Sequence, residues 1–395
     1  MISRHLPKPG NRSFFLFGPR MTGKSTWLAH EFKNALRIDL LNQENYIRYL
    51  ANPSLLEGEA ESHLRRNKNG WILVDEIQRV PDLLNEVHRL IEERKIRFGL
   101  SGSSARKLKR GGANLLAGRA TEMRIFPFTI PELDASDSPD FRSKFDLASA
   151  IRWGTLPPVW TSELSEKKEI LRSYASVYLR EEIQAEGLVR NLPAFSKVLQ
   201  LAAESIAQEV NYSTLSREIG VASKTIASHF SILEDTLIGF HLPPWTRTVR
   251  KELAGSSKFY LFDNGVTNAL RENLTDPPTG DVLGSLFEQF VIQQVRAILS
   301  YQGFEGSFSF WRARGGNEVD LIISRGSKPI LAVEIKNTSR PSRIDFAGLR
   351  SFSDEYPKVP CILVSRQPRA SKDGPFESYP ALDFLRDLHA GQLIR

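Results

Sequence analysis

The feature that most constrains this chain is a short apolar run feeding a glycine-bounded loop. Phe14-Phe15-Leu16-Phe17 is followed by Gly18-Pro19-Arg20-Met21-Thr22-Gly23-Lys24-Ser25-Thr26. This is the G-x-x-x-x-G-K-[ST] spacing in the setting it requires, with a buried strand before it and a helix after it. Gly18 and Gly23 let the backbone turn tightly and aim its N–H groups at phosphate oxygens. Lys24 is placed to reach the β- and γ-phosphates, and the Ser25 hydroxyl to hold Mg2+. A helix starting near Lys24 adds its positive dipole end to the same anion site. The competing explanation is a glycine turn with a surface lysine. The flanking strand and a second motif downstream weigh against it. The run Gly18 to Thr26 is expected to cradle ATP.

That second motif is Trp71-Ile72-Leu73-Val74-Asp75-Glu76, an apolar strand ending in two acids. Such a strand places Asp75 beside the phosphate loop to hold Mg2+ through water, and makes Glu76 the candidate to orient or deprotonate the attacking water. A further strand, Arg97 to Leu100, runs into Ser101-Gly102-Ser103-Ser104. Ser103 is the expected γ-phosphate sensor, against an ordinary helix N-cap. Arg119 follows a small turn, where an arginine can stabilise transition-state charge in its own or a neighbour's site. A surface ion pair is the alternative; a shared site would imply a homo-oligomer. Residues 1–135 read as a parallel sheet flanked by helices.

The rest of the chain carries other chemistry. With 53 Lys and Arg against 46 Asp and Glu, the formal charge is +7 and the pI about 9.4, which is compatible with nucleic acid without establishing it. The only cysteine, Cys361, excludes an intrachain disulfide and a Cys-based zinc site. No apolar run approaches 18 residues and no signal-peptide core follows Met1, so the expectation is a cytoplasmic chain with no membrane partner.

Residues 136–190 are expected to form a helical lid or bridge. Trp153-Gly154-Thr155-Leu156-Pro157-Pro158 makes a rigid turn, and Leu164 to Glu186 reads as a long amphipathic helix with Leu171, Tyr174, Val177, Tyr178 and Ile183 on its apolar face. Residues 191–255 carry a helix-turn-helix pattern. Leu215 to Ile219 is closed by Gly220, and Ser223, Lys224, Thr225 and Ser228 lie on the exposed face of the next helix. Only Lys224 and His229 offer positive charge there, which leaves both a protein contact and a DNA contact open.

Residues 256–395 change character again. Glu288 sits on an amphipathic helix, Asp320 on the strand Glu318 to Ile323, and Glu334 and Lys336 on the strand Ile330 to Lys336. Period-two alternation puts Glu334 and Lys336 on one face, opposite Val333 and Ile335. Asp320, Glu334 and Glu288 converging there could hold Mg2+, with Lys336 positioning a water for phosphodiester attack. That is the PD-(D/E)xK nuclease pattern; a solvated strand face is the bland alternative.

Taken together, the chain resembles a prokaryotic family of AAA-like P-loop ATPases with a C-terminal domain of unknown function. The resemblance rests on Gly18 to Thr26, Leu73 to Gln78, Gly102-Ser103-Ser104, Leu116 to Arg119, Tyr174 with Arg180-Glu181, His241 to Trp245, Lys258 to Gly265, and the set Glu288, Asp320, Glu334 and Lys336. It implies an α/β chain: a P-loop NTPase sheet, a helical lid, a winged-helix module and a restriction-endonuclease-like C-terminal domain. Met21 stands where a polar residue such as Gln is common. Two functions follow as expectations: an ATPase driving a DNA-acting nuclease-like module, or an ATPase switch whose modules bind protein or DNA without cutting.

Overall fold

The structure is a computed structural model that describes residues 2–102, 116, 118–136, 146–178, 189, 191–246 and 256–394. The chain forms two compact units, one of Arg4–Phe126 with Asp235–Ile238, the other of Met1–Ser3, Pro127–Glu234 and Gly239–Arg395.

In the first unit, β1 (Ser13–Phe17), β2 (Leu36–Asp39), β3 (Ile72–Asp75), β4 (Phe98–Gly102) and β5 (Ala120–Arg124) form a five-stranded sheet in the order β2-β3-β4-β1-β5. Every pairing is parallel, as expected when helices make the crossovers. Those helices are α1 (Lys24–Glu31), α2 (Gln43–Ala51), α3 (Leu55–Arg66) and α4 (Leu83–Arg94). β1 is buried along its whole length, which is why it reads as a continuous apolar run rather than an alternating one. Phe14 packs against Trp27 of α1 and against Phe32 and Trp71, with ring centroids 5.5 to 6.2 Å apart, and this cluster fixes α1 against β1. Because β4 lies between β1 and β3, the ends of three strands meet beside the loop that leaves β1.

The second unit opens with the helices α5 (Ile130–Asp134), α6 (Leu147–Trp153), α7 (Pro157–Thr161) and α8 (Leu164–Ser173). The long helix expected from Leu164 to Glu186 is α-helical over α8 and continues as a π-helical turn, Tyr174–Tyr178; Arg180, Glu181 and Ile183 lie outside the described residues. Next come α9 (Leu192–Glu204), α10 (Tyr212–Ile219) and α11 (Ser223–Asp235). Gly220, at φ +80°, closes α10 in the left-handed conformation that glycine adopts at no steric cost. A two-stranded antiparallel ribbon follows, β6 (Gly239–Leu242) and β7 (Lys258–Leu261). His229 lies buried in α11 against the Phe195 ring rather than on the exposed face, and burial lowers its pKa.

The last part of this unit holds α12 (Asn264–Leu270), α13 (Gly280–Tyr301), β8 (Ser307–Arg312), β9 (Glu318–Arg325), β10 (Lys328–Lys336), α14 (Ala347–Glu355), β11 (Cys361–Ser365), β12 (Ser371–Asp373), β13 (Phe376–Pro380) and α15 (Ala381–His389). The sheet order is β12-β13-β11-β10-β9-β8. β8, β9 and β10 run antiparallel, whereas β11 lies parallel to β10 after the α14 crossover. Leu321, Ile323, Val333 and Ile335 face one core with residues of α13 and α15; Ile322 and Ala332 face another with Leu349 and Phe352 of α14.

A buried polar knot ties the Trp153–Pro158 turn to the Lys258–Gly265 run. Asp263 accepts from the Thr155 N–H at 2.8 Å, and Asn264 donates to the carbonyls of Ile151 and Leu286. Gln289 donates to Asn264 at 3.0 Å and accepts from the Leu261 N–H. Gly154 is held at φ +71°, and a Cβ placed there would lie 2.1 Å from an Asp263 carboxylate oxygen. Gly154→Ala is therefore expected to destabilise this unit by about 3 kcal/mol, read as a lowered melting temperature in calorimetry. An unchanged transition would contradict the assigned packing.

Candidate functional site

The loop from Gly18 to Ser25 turns through two left-handed backbone positions. Gly23 lies at φ +91° and Met21 at φ +64°, a left-handed position for a residue with a side chain. Gly18 is needed for closeness instead: an added Cβ would lie 2.6 Å from the Ile125 carbonyl oxygen and 2.9 Å from the Thr22 hydroxyl. Thr22 Oγ1 donates to the Pro19 carbonyl at 2.8 Å. Lys24 is buried, and its ammonium donates to the carbonyls of Gly18 (2.8 Å) and Pro19 (3.1 Å), so the cation sits folded over the loop it would serve. Arg20 lies in the loop and is partly buried, whereas Thr26 is exposed in the first turn of α1.

Asp75 ends β3 and receives two hydroxyls. Ser25 Oγ donates to Oδ2 at 2.5 Å, and Ser101 Oγ donates to Oδ1. Glu76 is buried and held at φ +57°, a strained conformation that turns the chain out of the strand into a short 3-10 helix, Ile77–Arg79. The Gln78 amide donates to the Glu76 carboxylate, and the Glu76 N–H donates to Ser101 Oγ at 3.4 Å. The structure thus brings Lys24, Ser25, Asp75 and Glu76 together. It adds Ser101, fully buried near the end of β4, which bonds the Asp75 carboxylate and the Glu76 backbone N–H; Ser103 lies outside the described residues. Arg119 pairs with Glu92 of α4, in the manner of a surface ion pair. Arg4 also escaped the sequence reading: it donates to the Thr22 carbonyl at 2.7 Å and the Phe126 carbonyl at 2.5 Å, bracing the loop from behind.

Three of the C-terminal carboxylates meet around Lys258, a residue of the Lys258–Gly265 run to which the sequence assigned no charge partner. Lys258 of β7 is buried, with its ammonium 3.0 Å from Glu288 Oε1, 3.8 Å from Asp320 Oδ1 and paired to Glu318. Tyr260 donates to the same Glu288 oxygen at 2.6 Å. Lys336 Nζ lies 2.5 Å from Glu334 and 4.0 Å from Asp320, and Asp320 accepts from the Ile335 N–H at 2.7 Å. Glu318 also pairs with Arg312, which reaches Glu209.

Burial alone would lower the Lys258 pKa, but Glu288, Asp320 and Glu318 together hold it above its ordinary value. Burial pushes the Glu288 carboxyl up to about 7 against the pull of Lys258, with Asp320 adding to the rise. Glu334 is raised well above the carboxylate range by burial and Asp320, with Lys336 opposing. Of the expected Mg2+ set Glu288, Asp320 and Glu334, the first two flank the Lys258 ammonium, and Glu334 pairs with Lys336; among the described residues no group of three acidic or imidazole side chains is arranged to hold a metal.

Residues 10–133 match the AAA domain family, residues 144–277 a domain of unknown function (DUF8612), and residues 283–378 a domain of unknown function (DUF4143). The first unit carries an AAA-type P-loop ATPase domain. Uncharacterized proteins of Mycobacterium bovis and Mycobacterium tuberculosis are each 29% identical over 340 residues, 83% of this chain and 70% of theirs. An uncharacterized protein of Haemophilus influenzae is 24% identical over 204 residues, about half of each chain. Among solved structures, the Aeropyrum pernix ORC2 protein in its ADP form aligns at 13% identity and a TM-score of 0.31, covering 67% of this chain and 89% of that one. Among the described residues no helix is long and apolar enough to cross a membrane.

Ser101→Ala removes the hydroxyl that orients Asp75. ATP turnover is expected to fall roughly tenfold or more, from the loss of a hydrogen bond to a charged group, while the affinity for nucleotide without Mg2+ changes little. Steady-state turnover and a metal-free nucleotide titration check this; unaltered turnover would contradict the assigned contact.

Proposed function

We propose that the chain is a Mg2+-dependent ATPase whose nucleotide state is coupled to its C-terminal unit. The observation that carries the reading is the Ser25–Asp75 contact beside the folded-over Lys24, with Glu76 held by Gln78 and Ser101. The donor set fits the groups it would take. Backbone N–H groups of Gly18 to Ser25 and the Lys24 ammonium suit phosphate oxygens, and a hydroxyl next to a carboxylate suits Mg2+. Bound there by Ser25 and Asp75, the ion would neutralise phosphate charge. Glu76 would orient water and accept its proton, its carboxylate fixed by the strained backbone and the Gln78 amide.

The finer reading has α10, α11 and the ribbon as a winged helix and the β8–β13 unit as a nuclease-like fold acting on DNA. The helix, antiparallel β8-β9-β10 and parallel β11 order supports that fold. Two observations favour the non-cleaving form, a switch that binds a partner. Lys258 already supplies a cation to the carboxylates, and His229 is buried, leaving Lys224 as the exposed positive charge of the sequence-assigned face of α11. A protein partner suits that sparse charge better than a phosphate backbone.

Lys24→Ala is expected to abolish ATP turnover and weaken nucleotide binding. Glu76→Gln should keep binding and lose about a hundredfold in turnover. A phosphate-release assay with a nucleotide titration checks both, and a Lys24→Ala variant that hydrolyses ATP at the wild-type rate would sink the reading. Plasmid incubated with Mg2+ or Mn2+ should remain uncut by the wild type.

A further inference from the structure

We propose that Arg4 is a positioning residue through which nucleotide in the phosphate loop is felt by the second unit. The inference rests on the reading of that loop as an ATP site, and it names the residue that carries the coupling.

The decisive group is a single peptide. Thr22 is fully buried and lies between Met21 at φ +64° and Gly23 at φ +91°, in a stretch that belongs to no helix or strand. The Arg4 guanidinium donates from one terminal nitrogen to the Thr22 carbonyl at 2.7 Å, and from the other to the Phe126 carbonyl at 2.5 Å. The Thr22–Gly23 peptide is trans. In a trans peptide the N–H points opposite to the carbonyl, so holding the Thr22 carbonyl also aims the Gly23 N–H, away from Arg4. On the ATP reading that N–H is one of the phosphate donors. A cation on the carbonyl polarises the peptide and makes its N–H the stronger donor. The effect is reciprocal: phosphate on the N–H tightens the Arg4 contact by the same free energy.

Arg4 stands where the chain changes units. It opens the first unit, and Phe126 closes the main segment of that unit. Ile2, two residues before Arg4, is buried in a core of the second unit together with Phe128 and Ile130. Two residues beyond Phe126, the Phe128 N–H donates to the Thr155 carbonyl at 2.9 Å, and Gln294 of α13 donates to the Phe128 carbonyl at 3.1 Å. The Ile130 N–H donates in turn to Gln294 at 2.8 Å. Thr155 is the residue whose own N–H meets Asp263 in the buried polar knot. Two of the chain's passages between the units are thus anchored in the second unit close to Arg4 and Phe126. The guanidinium ties both passages to the phosphate loop. Nucleotide that tightens the Thr22 contact therefore restrains the chain entering the second unit.

The test is hydrogen exchange of the full chain, read by mass spectrometry, with and without Mg2+ and a saturating non-hydrolysable ATP analogue. In the wild type the analogue should slow exchange severalfold at residues 18–26 and at residues 127–134. Arg4→Ala should bind the analogue about tenfold more weakly, from the loss of a charged hydrogen bond. At saturation it should keep the slowing at 18–26 and lose it at 127–134. A residue that served the fold alone would, when removed, raise exchange at 127–134 with or without the analogue and leave the analogue-dependent difference intact; that outcome overturns the proposal. Arg4→Lys keeps the charge without the planar fork, and should recover affinity without recovering the response at 127–134. If Arg4→Ala does not fold, Arg4→Lys decides, and a wild-type response at 127–134 in that variant overturns the proposal. A wild type that binds the analogue with no change at 127–134 overturns it as well, whereas a wild type that binds no analogue overturns the ATP reading beneath it.

Discussion

A buried charge has to be matched, and in this protein the matching of Lys258 organises the larger unit. The ammonium joins the ribbon after α11 to α13 and β9 through Glu288, Glu318 and Asp320. Removing one member of such a set strands the others in a medium that cannot solvate them, at a cost of about 3–5 kcal/mol. The arrangement is therefore fixed in place more than it is strongly stabilising. On the non-cleaving reading, these carboxylates are committed to a cation that cannot polarise a phosphodiester as Mg2+ does.

The smaller unit solves the opposite problem. Its charged groups are held in readiness for a ligand rather than satisfied for good. Lys24 donates to two loop carbonyls, neutral acceptors that phosphate oxygens can outcompete. Asp75 accepts from Ser25 and Ser101, both of which leave lone pairs for a hydrated ion. The strain at Met21 and Glu76, of order 1–3 kcal/mol each, sits at the two turns that aim these groups. Arg4 and Ile125 back the loop from the other side, so its conformation is set by packing before any ligand arrives.

How much of this could be read from the sequence depended on how local the chemistry was. The phosphate loop and the Asp75-Glu76 pair were legible because their functional atoms are carried by contiguous residues whose spacing forces the geometry. Strand alternation likewise placed Glu334 and Lys336 together, facing away from Val333 and Ile335. Ser101 was not singled out because its contact with Asp75 depends on the register of β4 against β1 and β3, which no local motif carries. Lys258 was invisible as a cation for Glu288 because the contact joins a ribbon to a helix 30 residues on, and Asp320 lies further still. Its alternation with Tyr260, two polar-tipped residues on one face of a strand, was the available signal. His229 was misjudged because the packing of α9 against α11, not helical period alone, decides which face is exposed.

The measurement that bears most directly on this account is anomalous diffraction from crystals grown with Mn2+ and a non-hydrolysable ATP analogue. The account predicts one metal peak beside Ser25 and Asp75, against the analogue's phosphates, and none among Glu288, Asp320 and Glu334. A peak among those carboxylates with Lys258 in place, or bound analogue with no metal at Ser25 and Asp75, would contradict it.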